Sequence, residues 1–147
     1  MANKKREHSG PVAVVDVEVR YAETDQMGVV HHSVYVIWFE VARTRLCLQS
    51  GFHYADIEKK GYFLVVTGSE CRFLSGAKYG DTVQVSCRLE EYKSRGLRFV
   101  YEVRRGEGQE LLATGATDHI WVDRQSGKPC RTPPELVESF ERAAGLR

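Results

Sequence analysis

Hydrophobic and polar positions along the chain first follow a strand pattern and then a helix pattern. Residues 12–20 (VAVVDVEVR) alternate imperfectly and are rich in valine, which is typical of a strand half buried on a sheet. Residues 33–51 (SVYVIWFEVARTRLCLQSG) form a segment too long for a strand, and they predict a helix with Ser33 as its N-cap and Gly51 as its stop. One apolar stripe of this helix contains Val34, Ile37, Trp38, Val41 and Leu48. Because its first half is apolar nearly all round, we expect the helix to lie in the concave face of a curved sheet.

The remainder of the chain is mostly of strand type. After a short helical piece over residues 54–60, the β-branched and aromatic segments are residues 62–74, 82–92, 97–105 and 110–123. Short connections with turn residues separate them and favour antiparallel pairing of consecutive strands. Residues 135–144 predict a terminal helix, with Leu136, Val137 and Phe140 on one side. The predicted fold class is therefore α+β, with one antiparallel sheet wrapped around one long helix.

Length and charge narrow the class of protein. The chain has 147 residues, which fits one domain over residues 11–147 preceded by a poorly ordered segment over residues 1–10. That segment lacks the apolar run of a signal peptide, and no part of the chain is apolar enough to span a membrane. The formal net charge of +1 gives no general attraction to nucleic acid.

The four cysteines, Cys47, Cys71, Cys87 and Cys130, are scattered without a C-x-x-C pair. This spacing favours free thiols over a disulfide framework or a zinc site. We therefore expect a cytoplasmic protein without a bound metal. A sheet of this size also leaves an edge strand unpaired, which predicts at least a homodimer.

The loop ahead of the long helix carries the candidate chemistry. In the sequence YAETDQMGVVHHSVY (residues 21–35), Asp25 lies in a turn with Gly28 three residues later and the helix start close behind. Free N–H groups at a helix start can bind a negative oxygen, and a carboxylate in the preceding loop can be directed to the same place. Hydrolysis of a thioester needs such a pair: a group that attacks or delivers water, and donors that stabilise the oxyanion.

Composition alone also permits a plainer interpretation of the loop. Asp25 could cap local backbone amides, and His31 and His32 could be ordinary helix-entry residues. Two adjacent histidines point in different directions, which argues against a shared metal.

Two motifs resemble the 4-hydroxybenzoyl-CoA thioesterase family in its YbgC-like acyl-CoA thioesterase branch. The first is V-R-Y-A-E-T-D-Q-M-G-V-V-H-H-S-V-Y (residues 19–35), followed along the helix by W-F-E-V-A-R-T-R. The second is C-R-F-L-S-G-A-K-Y-G-D (residues 71–81). With the element order, the similarity covers roughly residues 12–125.

The resemblance implies a hotdog fold, a homodimer or homotetramer, and active sites between two subunits. It implies that Asp25 is the catalytic carboxylate, that Gly28 is the loop glycine and that His32 supplies a carbonyl-polarising N–H and an imidazole. His31 and Met27 differ from the residues usual in the branch, and both changes would act on the acyl group accepted rather than on the reaction.

The expected substrate is an acyl-CoA, and CoA is part of this substrate rather than a separate cofactor. Residues expected to line its site are Tyr21, Val29, Val30, His31 and Tyr35. The phosphates of CoA need nearby cations, for which the candidates are Lys78, Arg95 and Arg98.

Three questions stay open at this level. Asp25 could attack the thioester directly or activate water. A hotdog acyl-thioester dehydratase would instead use His31 or His32 with Glu40. A hotdog domain could also bind acyl-CoA without catalysis.

Overall fold

The computed structural model describes residues 10–146. Apart from Gly10, the segment predicted to be poorly ordered, residues 1–10, lies outside the described residues. The strands and helices are β1 Ala13–Glu18, α1 His32–Gln49, α2 Tyr54–Lys59, β2 Tyr62–Phe73, β3 Thr82–Tyr92, β4 Gly96–Arg105, β5 Leu111–Asp123, β6 Pro129–Cys130 and α3 Val137–Ala143. Short 3-10 turns cover Tyr21–Glu23 and Pro134–Leu136. All the predicted strands and helices are confirmed, with ends within two residues of the prediction. The sequence does not predict the two 3-10 turns or the short strand β6.

The strands form one antiparallel sheet in the order β1-β3-β4-β5-β2, and β6 pairs with β5. This arrangement confirms the α+β class. The expectation that consecutive strands are neighbours is wrong for β2 and β3, since β2 pairs with β5 from Tyr62↔Asp123 to Phe73↔Ala113. A connection of eight residues can span roughly 26 Å, whereas three strand spacings need only about 14 Å. The chain can therefore cross the end of the sheet without a helix.

Helix α1 begins two residues earlier than predicted. Its N-cap is His31 rather than Ser33, and the His31 Nδ1 accepts a hydrogen bond from the Ser33 N–H at 3.2 Å. An imidazole acceptor at this position satisfies the same donor that an Asn or Asp cap would satisfy. The helix ends at Ser50 and is followed, as predicted, by Gly51 with a φ of +104°.

The buried face of α1 differs from the predicted stripe. Val34 and Trp38 are buried, but Ile37, Val41 and Leu48 are 58, 46 and 46% exposed. The face against the sheet consists of Tyr35, Trp38, Phe39, Ala42, Arg43, Leu46 and Cys47. Because most positions in the first half are apolar, period alone could not select the buried face. Helix α1 lies mainly over β1 and β3, so one of its flanks is uncovered in the single chain.

A buried polar cluster joins α1 to the sheet and to α2. The Arg43 guanidinium donates to the Tyr54 hydroxyl at 2.9 Å and to the Tyr101 hydroxyl at 3.1 Å. The Tyr101 hydroxyl lies 2.6 Å from the Thr117 hydroxyl, which lies 2.8 Å from the His119 Nε2. This chain of hydrogen bonds surrounds a cation that is only 8% exposed.

Candidate active site

The loop before α1, residues 24–31, is closed by its own backbone and is called the Asp25 loop below. Thr24 and Val30 form an antiparallel bridge across its base. The Asp25 N–H donates to the Val29 carbonyl at 2.9 Å, and the Gly28 N–H donates to the Asp25 carbonyl at 3.0 Å. Gly28 has a φ of +77°, a conformation that glycine adopts without steric cost. The turn therefore fixes the backbone of Asp25.

Only one oxygen of the half-buried Asp25 carboxylate is occupied locally. Its Oδ1 accepts the Met27 N–H at 2.8 Å, as the capping interpretation expects. Within residues 10–146, no hydrogen bond to Oδ2 is formed. The side chain is thus oriented through one oxygen while the other can meet a ligand.

The first turn of α1 leaves one backbone donor open. The His31 N–H donates to the Glu23 carbonyl at 2.8 Å, and the Val34 N–H donates to the His31 carbonyl at 3.0 Å. The Ser33 N–H is taken by the His31 ring. Among the described residues, nothing accepts the N–H of His32. That donor, at the positive end of α1, suits a developing negative oxygen.

The imidazoles of His31 and His32 lie against each other at the helix start. Their ring centroids are 4.1 Å apart with an interplanar angle of 33°. The expectation that these two side chains point in different directions is therefore wrong, because His31 is the N-cap outside the helix and its ring turns back over the first turn. Both residues are exposed, so the His32 ring is accessible from solvent. Glu40, the third residue of the dehydratase alternative, is exposed on α1, and within residues 10–146 it forms no hydrogen bond or ion pair with either histidine.

The segment between β2 and β3, residues 75–81, packs on the Asp25 loop and is called the β2–β3 turn below. The Val30 N–H donates to the Ala77 carbonyl at 2.8 Å. Gly76 touches Val29 so closely that a Cβ at Gly76 would stand 2.6 Å from the Val29 Cγ1. Two motifs separated by about 40 residues in sequence thus form one unit.

The same unit includes Tyr21 and Lys78. Tyr21 packs edge to face on Tyr79 with centroids 5.7 Å apart, and both rings are largely exposed. The Lys78 side chain is exposed, while its N–H donates to the Asp81 carboxylate at 2.9 Å. The structure therefore brings Tyr21 and Lys78 beside the Asp25 loop.

Tyr35 forms the buried wall beneath this unit. Its ring packs edge to face on Trp38 and on Phe73, with centroids 5.0 and 5.1 Å apart. Burial raises the pKa of Tyr35, and a backbone hydrogen bond with Ala77 opposes the rise. Phe73 is about half exposed, so it presents apolar surface next to the site.

Arg95 and Arg98 lie at the other end of the sheet in this chain. They stand at the start of β4, whereas the β2–β3 turn contacts its last residue, Arg105. Arg98 is 27% exposed and forms ion pairs with Glu70, Glu90 and Asp118. One chain therefore does not bring these two arginines to Asp25, and their role in binding stays a prediction.

Three residues of the site escaped the sequence-based interpretation. Glu23 is buried, and its Oε1 accepts a hydrogen bond from the Arg20 N–H at 2.8 Å. The Glu23 carbonyl accepts the His31 N–H. Gly76 follows a predicted strand, and nothing in its local sequence indicates that it contacts Val29. Arg105 had no distinguishing local pattern, since its partners are distant in sequence.

Among the described residues, the features outside the Asp25 loop and the β2–β3 turn that could indicate another site are pockets, metal-binding groups and reactive cysteines. A depression of about 540 Å³ lies on the face of the sheet turned away from α1, with small side chains at its floor and charged ones around it. Among residues 10–146, no group of three or more His, Cys, Asp or Glu side chains is arranged to hold a metal ion. The four cysteines are free. No helix in the described range is long and apolar enough to cross a membrane.

A protein-family model matches most of the chain. The family model described as the thioesterase-like superfamily matches residues 19–140. This range includes the Asp25 loop, α1 and the β2–β3 turn.

Individual relatives carry thioesterase names. The chain is 37% identical over 135 residues to the putative acyl-CoA thioesterase YneP of Bacillus subtilis, covering 90% of this chain and 97% of the relative. It is 25% identical over 126 residues to the acyl-CoA thioester hydrolase YbgC of Escherichia coli O157:H7, covering 86% and 93%. The crystal structure of a DHNA-CoA thioesterase from Staphylococcus aureus superposes with a TM-score of 0.86 at 35% identity, covering 92% of each chain.

Proposed function

Because the chain belongs to the thioesterase-like superfamily, we propose that it hydrolyses an acyl-CoA thioester to the free acid and CoA, with Asp25 as the catalytic carboxylate. The observation that carries the proposal is the Asp25 loop itself. It presents a carboxylate oxygen without a local partner directly ahead of a helix whose His32 N–H is also unpaired among the described residues.

Two routes fit this arrangement. In the first, an Asp25 oxygen attacks the thioester carbonyl, the C–S bond breaks, CoA leaves as the thiol after taking up a proton, and water hydrolyses the resulting mixed anhydride. In the second, Asp25 takes a proton from water as the water attacks the carbonyl, and the same C–S bond breaks. In both, the negative charge on the carbonyl oxygen is stabilised by the His32 N–H. Loss of one such donor costs about 3 to 4 kcal/mol in known enzymes.

The surroundings of the loop support an acyl-CoA as the substrate. His31 and Phe73 are exposed and Val29 is half buried, so these three offer apolar or aromatic surface for the acyl group. Val30 and Tyr35 are buried and support this surface from behind. Lys78, in the turn that packs on the loop, places a cation beside it for a CoA phosphate. Neither route requires a metal or a cofactor other than the CoA of the substrate.

We further propose that a second copy of the chain completes the site. Among residues 10–146, no strand pairs with the outer edge of the sheet at β2. This edge exposes Val65, Val66 and Phe73 beside the charged Glu70 and Arg72. The flank of α1 with Val36, Ile37 and Val41 is exposed as well. The opposite edge, at β1, exposes Val12 and Val14 together with the charged Asp16 and Glu18, and charges on an edge strand oppose pairing. Pairing two β2 strands antiparallel would cover the apolar surface.

Such a pairing would also bring Arg95 and Arg98, which lie far from Asp25 within one chain, close to a site. A two-fold axis through β2 brings opposite ends of the two sheets together. Arg95 and Arg98 of the second copy would then approach the end where this chain carries Asp25 and Lys78. In this arrangement the CoA phosphates would meet cations from both subunits.

The test is release of free thiol from a panel of aromatic and aliphatic acyl-CoA thioesters by the wild type and by two Asp25 variants. The panel includes 1,4-dihydroxy-2-naphthoyl-CoA, because a relative of known structure is a DHNA-CoA thioesterase. Asp25→Asn keeps an acceptor for the Met27 N–H and removes only the charge, whereas Asp25→Ala removes both. Asp16→Asn, on the exposed side of β1, is the matched control.

We expect the wild type and Asp16→Asn to release thiol and both Asp25 variants to be inactive with intact circular dichroism spectra. A wild type that binds acyl-CoA but releases no thiol would contradict hydrolysis and leave ligand binding as the function. In a single turnover in water enriched in oxygen-18, an unlabelled acid product identifies the anhydride route, because only attack of water on the Asp25 carbonyl of the anhydride leaves an Asp25 oxygen in the product.

A further inference from the structure

Arg105, at the end of β4, binds both ends of the β2–β3 turn. Its Nη2 donates to the Gly76 carbonyl at 3.1 Å, and its Nη1 forms an ion pair with the Asp81 carboxylate. Gly76 and Asp81 are five positions apart, so one planar guanidinium spans the whole turn. The side chains of Arg105 and Asp81 are 23 and 25% exposed, so solvent screens this ion pair less than it screens a pair on the surface.

The Asp81 carboxylate also organises the turn from inside. The oxygen that meets Arg105, Oδ2, accepts the Lys78 N–H at 2.9 Å. The Asp81 carbonyl accepts the Val19 N–H at 2.9 Å, which ties the turn to the chain just before the Asp25 loop. Arg105 and Asp81 therefore fix the turn to two separate parts of the fold.

The β2–β3 turn, positioned by Arg105 and Asp81, supports the Asp25 loop through a hydrogen bond and a packing contact. The Ala77 carbonyl accepts the Val30 N–H. Ala77 lies between Gly76 and Asp81, the two residues that Arg105 contacts. Gly76 itself packs on Val29. Val30 directly precedes His31, the N-cap of α1, so a shift of the turn would move both Asp25 and the His32 N–H.

We propose that Arg105 is a positioning residue for hydrolysis: it sets the placement of the Asp25 loop through the β2–β3 turn without touching the substrate. This inference rests on the proposed function in assigning the reaction to Asp25. A misplacement of about 1 Å at a reacting group can cost on the order of 100-fold in rate. Loss of Arg105 thus acts on the chemical step more than on binding.

The experiment compares kcat and KM for the acyl-CoA that the wild type hydrolyses best. Arg105→Ala removes both contacts with the turn, together with the ion pair that the Arg105 Nε forms with Glu110 at 3.3 Å. Arg105→Lys can restore the ion pair with Asp81 but cannot also reach the Gly76 carbonyl with a planar fork. The matched control is Arg104→Ala. Arg104 is the neighbouring arginine, and it contacts Glu102 and the Gln109 carbonyl rather than the turn.

We expect kcat to fall roughly 10- to 100-fold in Arg105→Ala with KM changed by less than about twofold. Arg105→Lys should lie between that variant and the wild type, and Arg104→Ala should match the wild type. A rise in KM alone would overturn the proposal, because it would mean that Arg105 acts on the Lys78 contact with CoA. An unchanged kcat would overturn it as well.

A second measurement does not depend on activity. Amide hydrogen exchange reports the Val30 N–H, which is bonded to Ala77, and the amide of Val85 in the buried centre of β3. We expect faster exchange at Val30 and unchanged exchange at Val85 in Arg105→Ala. Equal exchange at Val30 would overturn the proposal even if the wild type is active. If the wild type hydrolyses nothing, the proposed function fails and the Val30 exchange alone decides the role of Arg105.

Discussion

Gly76 and Val29 touch so closely that the space between them has no room for another carbon. A Cβ on Gly76 would lie 2.6 Å from the Val29 Cγ1 and 3.0 Å from its Cβ. The φ of Gly76 is not positive, so the glycine is required here by space rather than by backbone conformation. Because the valine side chain is short and stiff, it cannot turn aside, and a larger residue must move the backbone.

Substitution of Gly76 should therefore impair catalysis more than folding. In Gly76→Ala we expect kcat to fall by roughly tenfold or more, because the added methyl group pushes the Asp25 loop away from the β2–β3 turn. Shortening the opposing side chain in Gly76→Ala/Val29→Ala should recover part of the lost rate. Steady-state kinetics of both variants and of Val29→Ala provides the measurement. Equal rates in Gly76→Ala and the wild type would contradict the tight contact.

The buried cation Arg43 should depend on its two phenols for stability. Tyr54→Phe or Tyr101→Phe removes a hydroxyl that accepts from the guanidinium, and we expect each change to lower the free energy of unfolding by about 1 to 3 kcal/mol. Tyr92→Phe is the control, because no hydrogen bond to the Tyr92 hydroxyl is formed within residues 10–146. Urea unfolding monitored by circular dichroism gives the values. Equal stability of the three variants would mean that the phenols contribute nothing to holding the charge.

His119 should make the protein less stable in mild acid. Burial, with help from the nearby Arg43, lowers the pKa of His119 from 6.5 to about 4, and Asp118 opposes this shift. Between these two pH values the unfolded chain binds more protons than the folded one, so stability rises with pH up to about 6.5 and then levels off. The resulting loss between pH 7 and pH 5 is about 2 kcal/mol.

The check is the difference in free energy of unfolding between pH 7 and pH 5, measured for the wild type and for His119→Gln. Glutamine does not titrate, so the difference should be smaller in the variant by about the stated amount. The comparison is made within each protein, which removes any effect of the substitution that does not depend on pH. A difference of the same size in both proteins would exclude His119 as the source.

A charge on the β2 edge should break the proposed dimer. In Val66→Lys we expect a shift from dimer to monomer together with loss of hydrolysis, because the lysine places a charge where two β2 strands would pair. Val14→Lys is the matched control on the opposite edge, where the valine is similarly exposed. Sedimentation equilibrium gives the mass of each variant. A dimer that survives Val66→Lys but dissociates in Val14→Lys would place the interface at β1 instead.

The agreement between sequence and structure is best for features encoded locally. The ends of the strands and helices follow from residue period and turn residues, and they are confirmed within two positions. The resemblance to the YbgC-like branch, carried by two short motifs, is confirmed by the superfamily match and by YneP. The roles given to Asp25, Gly28 and His32 stay predictions, although the structure shows the loop geometry on which they depend.

The sequence could not select among alternatives that share one local pattern. Helix α1 is apolar on several sides, so its buried face was misassigned at Ile37, Val41 and Leu48. The strand order could not be derived either, because β2 has the same strand character whether it pairs with β3 or with β5. In both cases the choice depends on which surfaces fit together.

By itself the sequence therefore determined the long strands and the helices, their class of fold and the position of the Asp25 loop ahead of α1, because period, turn chemistry and caps act over a few residues. Only the tertiary structure decided that the β2–β3 turn supports that loop and that Arg105 grips the turn. The contacts Val29–Gly76 and Gly76–Arg105 join residues 47 and 29 positions apart, and no local pattern encodes them. They exist because the order of strands in the sheet brings these distant segments to the same end.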